Sequence, residues 1–159
     1  MAQILIVYYS RSGNTQRMAE LVAEGVRQGG AAARVQAVEQ VALAELLEVD
    51  GLILGSPTYY GSMAAEIKRF IDESVKLHGR LVGKIGGAFS SSGSLAGGNE
   101  TAILDMLKAL LVHGMIVPGC VDGDHYGPVA VGAPDARSAA QCHQMGRIVA
   151  QLAGRLAAS

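Results

Sequence analysis

Short, wholly apolar runs alternate with longer amphipathic segments along this chain, and that alternation restricts its fold more than any other feature. A run without polar interruption is typical of a strand covered on both faces. Apolar residues at every third or fourth position predict helices. Five strand–helix pairs in series predict an α/β fold: a doubly wound, five-stranded parallel sheet with helices on both faces. The predicted strands are 4–8, 34–38, 51–54, 85–89 and 115–117, and the predicted helices are 15–27, 41–47, 63–77, 99–113 and one opened by Pro134 and Asp135.

Composition sets limits on the class of protein. A length of 159 residues suits one domain, so we expect residues 1–159 to form a single unit. The net charge is −1 and no basic stripe is visible, which argues against a nucleic-acid partner. No apolar run reaches membrane-spanning length and no basic leader precedes the first strand, so we expect a cytoplasmic protein without a membrane partner. Cys120 and Cys142 do not form a CxxC pair, and the acids beside His125 lack further ligands, so we expect no metal.

The predicted sheet also indicates where a ligand would bind. In open parallel sheets, ligands bind beyond the carboxyl ends of the strands, at the point where the strand order reverses. The loops after the first, third and fourth strands are therefore the candidate binding loops.

The loop after the first strand is suited to a phosphate. The amino end of a helix offers free N–H groups and a partial positive charge, and short hydroxyls add donors without bulk. An ordinary helix cap is the alternative, although a cap needs only one such residue. The patterns GxxxxGK[ST] and GxGxxG are absent, which disfavours a triphosphate and a dinucleotide. The candidate phosphate-binding residues are Ser10, Arg11, Ser12, Gly13, Asn14 and Thr15, with Arg11 in an auxiliary role.

Residues 6–15, followed by Ala19 and Val22, resemble the FMN-phosphate signature of the flavodoxin family. That resemblance implies a flavodoxin-like fold and bound FMN. The phosphate group of FMN would then lie on the amino end of the first helix.

The loop after the third strand carries two adjacent tyrosines, which are costly in a loop unless they cover something. Aromatic faces at the mouth of a pocket suit a flat ring such as isoalloxazine, although one tyrosine of the pair could instead pack over the core. Residues 55–72 are similar to a segment of the Trp-repressor-binding-protein-like NAD(P)H:quinone oxidoreductases. The resemblance implies contacts to the flavin ring and ribityl chain from Pro57, Thr58, Tyr59 and Tyr60, and Gly61 would allow a close approach.

The loop after the fourth strand is rich in small hydroxyls and glycines. Its backbone donors would suit the pyrimidine end of a flavin, and a flexible loop capped at Asn99 is the alternative. The candidate residues are Ser91, Ser92, Gly93, Ser94, Gly97 and Gly98.

Two further residues enter through the same resemblance. It places His113 beside the flavin, whereas a cation at a helix carboxyl end is the alternative for that residue. It also places Tyr126 on the substrate side of the ring. The sequence departs from the family pattern by about one residue around Leu95 and Ala96.

The resemblance implies an FMN-dependent oxidoreductase that passes electrons from NAD(P)H to a quinone or a similar small acceptor. The sequence requires no catalytic acid or base, because the flavin does the chemistry. The alternative is a flavodoxin-type carrier that serves a redox partner protein. Typical flavodoxins are strongly acidic, and a net charge of −1 argues against that role. A homo-oligomer stays open, because the chain lacks longer segments that help to build the tetramer in that branch.

Overall fold

The computed structural model describes residues 1–158 and contains one sheet of five parallel strands in the order β2-β1-β3-β4-β5. The predicted α/β class and the doubly wound, flavodoxin-like topology are confirmed. No helix within these residues is long and apolar enough to cross a membrane. The strands are β1 Gln3–Tyr8, β2 Ala32–Ala37, β3 Gly51–Pro57, β4 Ile85–Ser92 and β5 Val129–Val131. The helices are α1 Asn14–Gln28, α2 Glu45–Glu48, α3 Ala65–Glu73, α4 Asn99–Val112 and α5 Ala136–Ala157, with 3-10 turns at Val38–Gln40 and Ser74–Leu77.

Alternate side chains of the central strands enter two separate cores, because successive strand residues point to opposite faces of a sheet. Ile4 and Ile6 pack with α1 and α5 on one face. Leu5 and Val7 pack with α3 and α4 on the other. The helices therefore cover both faces, as the unbroken apolar character of the strands predicted.

The predicted fifth strand was wrong. Residues 115–117 make only an isolated bridge, between Ile116 and Ile85, and the fifth strand is Val129–Val131. Ile116 exchanges hydrogen bonds with the start of β4, and Pro118 follows two residues later. Proline has no N–H to continue a ladder. The chain therefore leaves the sheet through residues 118–128 and returns to pair with the other end of β4.

Two helices are shorter in the structure than their sequence pattern predicts. The segment predicted at 63–77 is α-helical only over Ala65–Glu73 and tightens into a 3-10 turn. The segment predicted at 41–47 has one helical turn, Glu45–Glu48. The opening of the last helix was predicted correctly: Asp135 accepts from the Ser138 N–H, and Ser138 Oγ accepts from the Asp135 N–H.

Helices α1 and α5 cross at close range, and glycines make this possible. A Cβ atom on Gly146 would overlap the carbonyl oxygen of Val22 and would lie 2.6 Å from the backbone nitrogen of Val26. A Cβ atom on Gly25 would similarly overlap the backbone of His143. The packing of these two helices therefore depends on the absence of a side chain at both positions.

His113 lies at the amino edge of the sheet, so the prediction that it flanks the flavin is not supported by its position. It follows α4, which runs back over the sheet from the carboxyl edge and rises about 1.5 Å per residue. Ser74 Oγ donates to the carbonyl of Ile71 and is 2.7 Å from His113 Nε2. Since a hydroxyl has one proton, Nε2–H of His113 is the donor to Ser74. The helix end buries the ring instead of presenting it to a ligand.

We predict that Gly146→Ala destabilises the protein by about 1–3 kcal/mol, the usual cost of overpacking. The added methyl group would force α1 and α5 apart. The free energy of unfolding, measured by urea denaturation, checks this.

Gly154→Ala is the matched control, because a Cβ atom there meets no described atom within 4 Å. Alanine forms helix better than glycine, so this variant should gain about 0.5–1 kcal/mol. Equal stability of the two variants would contradict the close α1–α5 contact.

His113 should make the stability pH-dependent. Burial, and then the nearby His78, lower the pKa of His113 from its ordinary value of 6.5, and Nδ1 is buried without a hydrogen-bond partner among the described residues. Below pH 6.5 the unfolded chain therefore binds a proton that the folded chain does not. Stability should fall as the pH drops from 6.5 towards the folded pKa, with a slope of up to about 1.4 kcal/mol per pH unit from this group.

Urea denaturation of His113→Gln between pH 5 and 8 would test this. The variant should lose much of the acid-side slope, whereas His125→Gln, in an exposed loop, should keep it. An unchanged slope in His113→Gln would show that the buried imidazole does not control the acid-side loss of stability.

Candidate cofactor site

The start of α1 forms a turn with free backbone donors. Gly13, the residue before the helix, has a φ of 96°, and its N–H donates to Ser10 Oγ at 3.1 Å. No side chain among the described residues caps the helix, and its first turn contains no acid. The first N–H groups of a helix have no partner within the helix. These groups are therefore available to an anion, and the exposed side chains of Arg11 and Ser12 flank them.

Thr15 connects this turn to the end of β4. Its buried hydroxyl lies 2.9 Å from Ser91 Oγ, on a strand two places away in the sheet. The N–H of Tyr9 also donates to the carbonyl of Gly55 at the end of β3. The first loop is thus held against the ends of β3 and β4, the two strands that precede the other candidate loops.

The exit from β3 is held by buried hydroxyl groups. The N–H of Thr58 donates to Ser91 O at 2.7 Å, and its hydroxyl lies 2.8 Å from Ser90 Oγ. Ser56 Oγ accepts from the N–H of Ala64, which precedes α3. Ser56 and Ser90 are not among the predicted site residues. Their hydroxyl groups fix the backbone on which Pro57 and Thr58 sit.

A two-residue turn presents the tyrosines. Tyr59 and Ser62 exchange backbone hydrogen bonds, and the residues between them have φ values of 50° (Tyr60) and 76° (Gly61). Positive φ at both central positions is the requirement of a type I′ turn. A left-handed conformation costs a residue such as Tyr60 about 1–2 kcal/mol, and its ring is completely exposed. Strain of this kind concentrates at functional sites.

The loop after β4 is closed by a second set of polar contacts. Asn99 is buried and donates to Ser92 Oγ at 3.0 Å, while that hydroxyl donates to Ser94 O at 2.9 Å. Gly98 precedes α4 with a φ of 97°, and no side chain among residues 1–158 caps this helix either. Gly93, Ser94 and Gly97 are exposed. Asn99 therefore braces the loop as well as opening the helix.

The structure brings the three predicted loops to one edge and leaves two predicted residues elsewhere. His113 lies at the opposite edge of the sheet. Tyr126 lies in the 118–128 segment beside β4, and Gly127 next to it contacts the carbonyl of Ala88 in the middle of that strand. The resemblance that carried these two assignments concerns a branch with longer chains.

Tyr9 lies beside the candidate site although it was not among the predicted residues. Desolvation, and then Glu66, Tyr59 and Glu39, raise the pKa of its hydroxyl, while Arg11 lowers it. The backbone N–H of Tyr9 donates to the carbonyl of Gly55, which places Tyr9 beside the end of β3. The sequence signals for this position were its place directly after β1 and its aromatic ring, which it shares with the loop residues Tyr59, Tyr60 and Tyr126.

The site combines uncharged donors at the start of a helix with exposed aromatic rings and glycine-rich backbone. This set fits a phosphate monoester attached to a flat, polar-edged ring. Flexible hydroxyls and backbone amides can bind and orient such a ligand. The hydrogen-bonded loop ends hold them in place before it arrives.

Comparisons with known proteins agree with this geometry. Residues 40–123 match the NADPH-dependent FMN reductase family. A flavodoxin of Aquifex aeolicus is 41% identical over 160 aligned positions, covering 95% of this chain and 86% of the relative. An NAD(P)H dehydrogenase (quinone) of Archaeoglobus fulgidus is 34% identical over 190 positions, covering 98% of this chain and all of the relative.

Solved structures show the same fold. A WrbA-like flavodoxin from Agrobacterium tumefaciens superposes with a TM-score of 0.85 at 28% identity, covering 98% of this chain and 99% of that one. A flavodoxin from the domain Archaea superposes with a TM-score of 0.81 at 29% identity, covering 96% and 99%. The chain therefore belongs to the flavodoxin-like family, as a short member related to the WrbA-type NAD(P)H dehydrogenases.

Proposed function

We propose that the carboxyl edge of the sheet holds FMN, with its phosphate on the amino end of α1. One observation carries this assignment: the turn at Ser10–Gly13 leaves the first N–H groups of α1 free, in a turn of helix without acids, at the point where strand order reverses. A helix start with these properties favours an anion.

The ring of the flavin would lie between the tyrosine turn and the loop after β4. Tyr59 and Tyr60 supply aromatic surface on one side. Residues 93–97 supply exposed backbone on the other. Backbone N–H groups there would stabilise negative charge on the pyrimidine end.

The chain is an FMN-dependent oxidoreductase that uses NAD(P)H. When bound, the flavin relays two electrons between a nicotinamide and an acceptor. With a quinone as acceptor, NAD(P)H, a proton and the quinone give NAD(P)⁺ and the hydroquinone. The residues of this chain bind the phosphate, orient the ring and leave one side of it open to solvent. The family match and the quinone dehydrogenase relatives support this activity.

A flavodoxin-type carrier is the second candidate. The 41% identity to a flavodoxin favours it. The net charge of −1 counts against it, because electrostatic steering to a basic partner needs an acidic surface.

A small quinone is the acceptor that we propose, and a redox partner protein would replace it in the carrier. Both cysteines are free thiols, which suits the reducing cytoplasm favoured by the sequence. Analytical sedimentation would show whether the chain forms a homo-oligomer.

Ser10→Asp should weaken FMN binding at least tenfold while leaving riboflavin affinity nearly unchanged. An aspartate can accept the Gly13 N–H as serine does, so the turn survives, but its charge repels the phosphate. Titrations monitored by flavin fluorescence give both affinities.

Ser10→Asn is the matched control, because asparagine has the shape of aspartate without its charge. It should bind FMN within about threefold of the wild type, the range expected when only a modest hydrogen bond is altered. Equal FMN affinity in the Asp and Asn variants would remove the phosphate from this turn.

The enzyme and the carrier differ in their response to a nicotinamide. Anaerobic mixing of the FMN-loaded protein with NADPH, and separately with NADH, should bleach the flavin absorbance rapidly. Addition of a soluble benzoquinone should restore it.

Free FMN at the same concentration is the control for direct chemistry. If dithionite bleaches the protein-bound flavin but neither NADPH nor NADH does, the oxidoreductase function is excluded and the carrier function remains.

A further inference from the structure

The two loops on either side of the proposed ring position touch each other through glycine backbone. A Cβ atom on Gly98 would lie 2.6 Å from the Cα of Gly61, so the tyrosine turn and the start of α4 are in backbone contact. Gly61 follows Tyr60 in the turn, and Gly98 ends the loop after β4. The relative position of the two loops is therefore set at this contact.

A single hydroxyl bridges the contact. Thr101, in the first turn of α4, points its Oγ1 at the carbonyl of Gly61 at 2.6 Å and at the carbonyl of Gly98 at 2.9 Å. One hydroxyl proton serves both acceptors, and the shorter distance is the one that crosses between the loops. Thr101 thus ties the tyrosine turn to the helix.

Asp105 adds a second tie one helical turn later. It accepts from Ser62 Oγ at 2.6 Å, and Lys108 Nζ lies 2.6 Å from its other oxygen. Residues four apart lie on the same face of a helix, so Thr101 and Asp105 meet the same turn. Lys108, and then Ser62, hold the pKa of the Asp105 carboxyl below its usual value, so it is charged at neutral pH.

The turn needs these ties because its tip has little apolar support. Tyr60 is completely exposed and left-handed, and Tyr59 is exposed as well. A strained turn persists only where its surroundings hold it. Here the hydroxyl of Thr101 and the carboxylate of Asp105 supply that support.

We propose that Thr101 and Asp105 are positioning residues of the flavin site, which hold the Tyr59–Tyr60 turn at the ring without touching the cofactor. This inference rests on the proposed FMN binding. It predicts that loosening α4 from the turn weakens recognition of the ring and leaves recognition of the phosphate unchanged.

Thr101→Val keeps the shape of the side chain and removes its hydroxyl. The variant should bind FMN and riboflavin about 3–10-fold more weakly, the range expected for the loss of one hydrogen bond on the exposed side of α4. The bound flavin should also regain fluorescence, because a tyrosine that no longer stacks cannot quench it. Thr101→Ser should restore the affinities and the quenching.

Asp105→Ala should weaken the binding of both FMN and riboflavin in the same way, although Thr101 is unchanged in this variant. The matched control is Asp72→Ala, which breaks an exposed pair with Lys68 on α3 and should match the wild type. Thermal unfolding of each apoprotein checks that all variants are folded. If Thr101→Val melts below the assay temperature, Asp105→Ala and Thr101→Ser carry the test.

The outcomes separate this inference from the proposed function. If the wild type binds FMN, and Thr101→Val and Asp105→Ala match it in affinity and fluorescence, the positioning role is refuted and the cofactor stands. If these variants lose affinity for FMN but not for riboflavin, the ties act on the phosphate and the inference is wrong. A wild type that binds neither flavin refutes the proposed function itself.

Discussion

The order of the strands decides where this molecule can bind anything. The chain adds β2 to one side of β1 and then crosses to add β3 on the other, so α1 and α3 leave the carboxyl edge on opposite faces of the sheet. The two connections diverge there, and open parallel sheets bind their ligands at such a point. The start of α1 supplies the donors, and the end of β3 supplies the aromatic rings. The site follows from topology before any particular side chain is considered.

Much of the fold could be predicted because the central strands are buried on both faces. A strand in that position reads as an unbroken apolar run, and β1, β3 and β4 were predicted at the correct places. The edge strand β5 could not be found in this way. Val129–Val131 is short and has one neighbour, while residues 115–117 show an equally apolar pattern. Both segments are apolar tripeptides. The local pattern does not indicate which of them pairs with β4 along its whole length and which makes a single bridge.

The candidate site was also predicted only where local sequence patterns determine the structure. Local chemistry predicted the three loops, since each has the hydroxyls, glycines or aromatics that a ligand needs. The contacts that hold the loops together were invisible, because they join residues distant in the chain. Thr15 meets Ser91, and Thr101 meets Gly61. His113 shows the opposite failure: a resemblance in sequence assigned it to the site, and the length of α4 carries it to the other edge.

The split edge strand has a consequence for how chains of this kind can change length. Ile116 and Val129 each attach to β4 through their own hydrogen bonds, near opposite ends of that strand. The segment between them closes a loop whose ends are already fixed, so added residues cost little closure entropy. Growth at this point would enlarge the flank of the molecule while every strand kept its register. The sheet could thus acquire a new wall beside an existing cleft without being refolded.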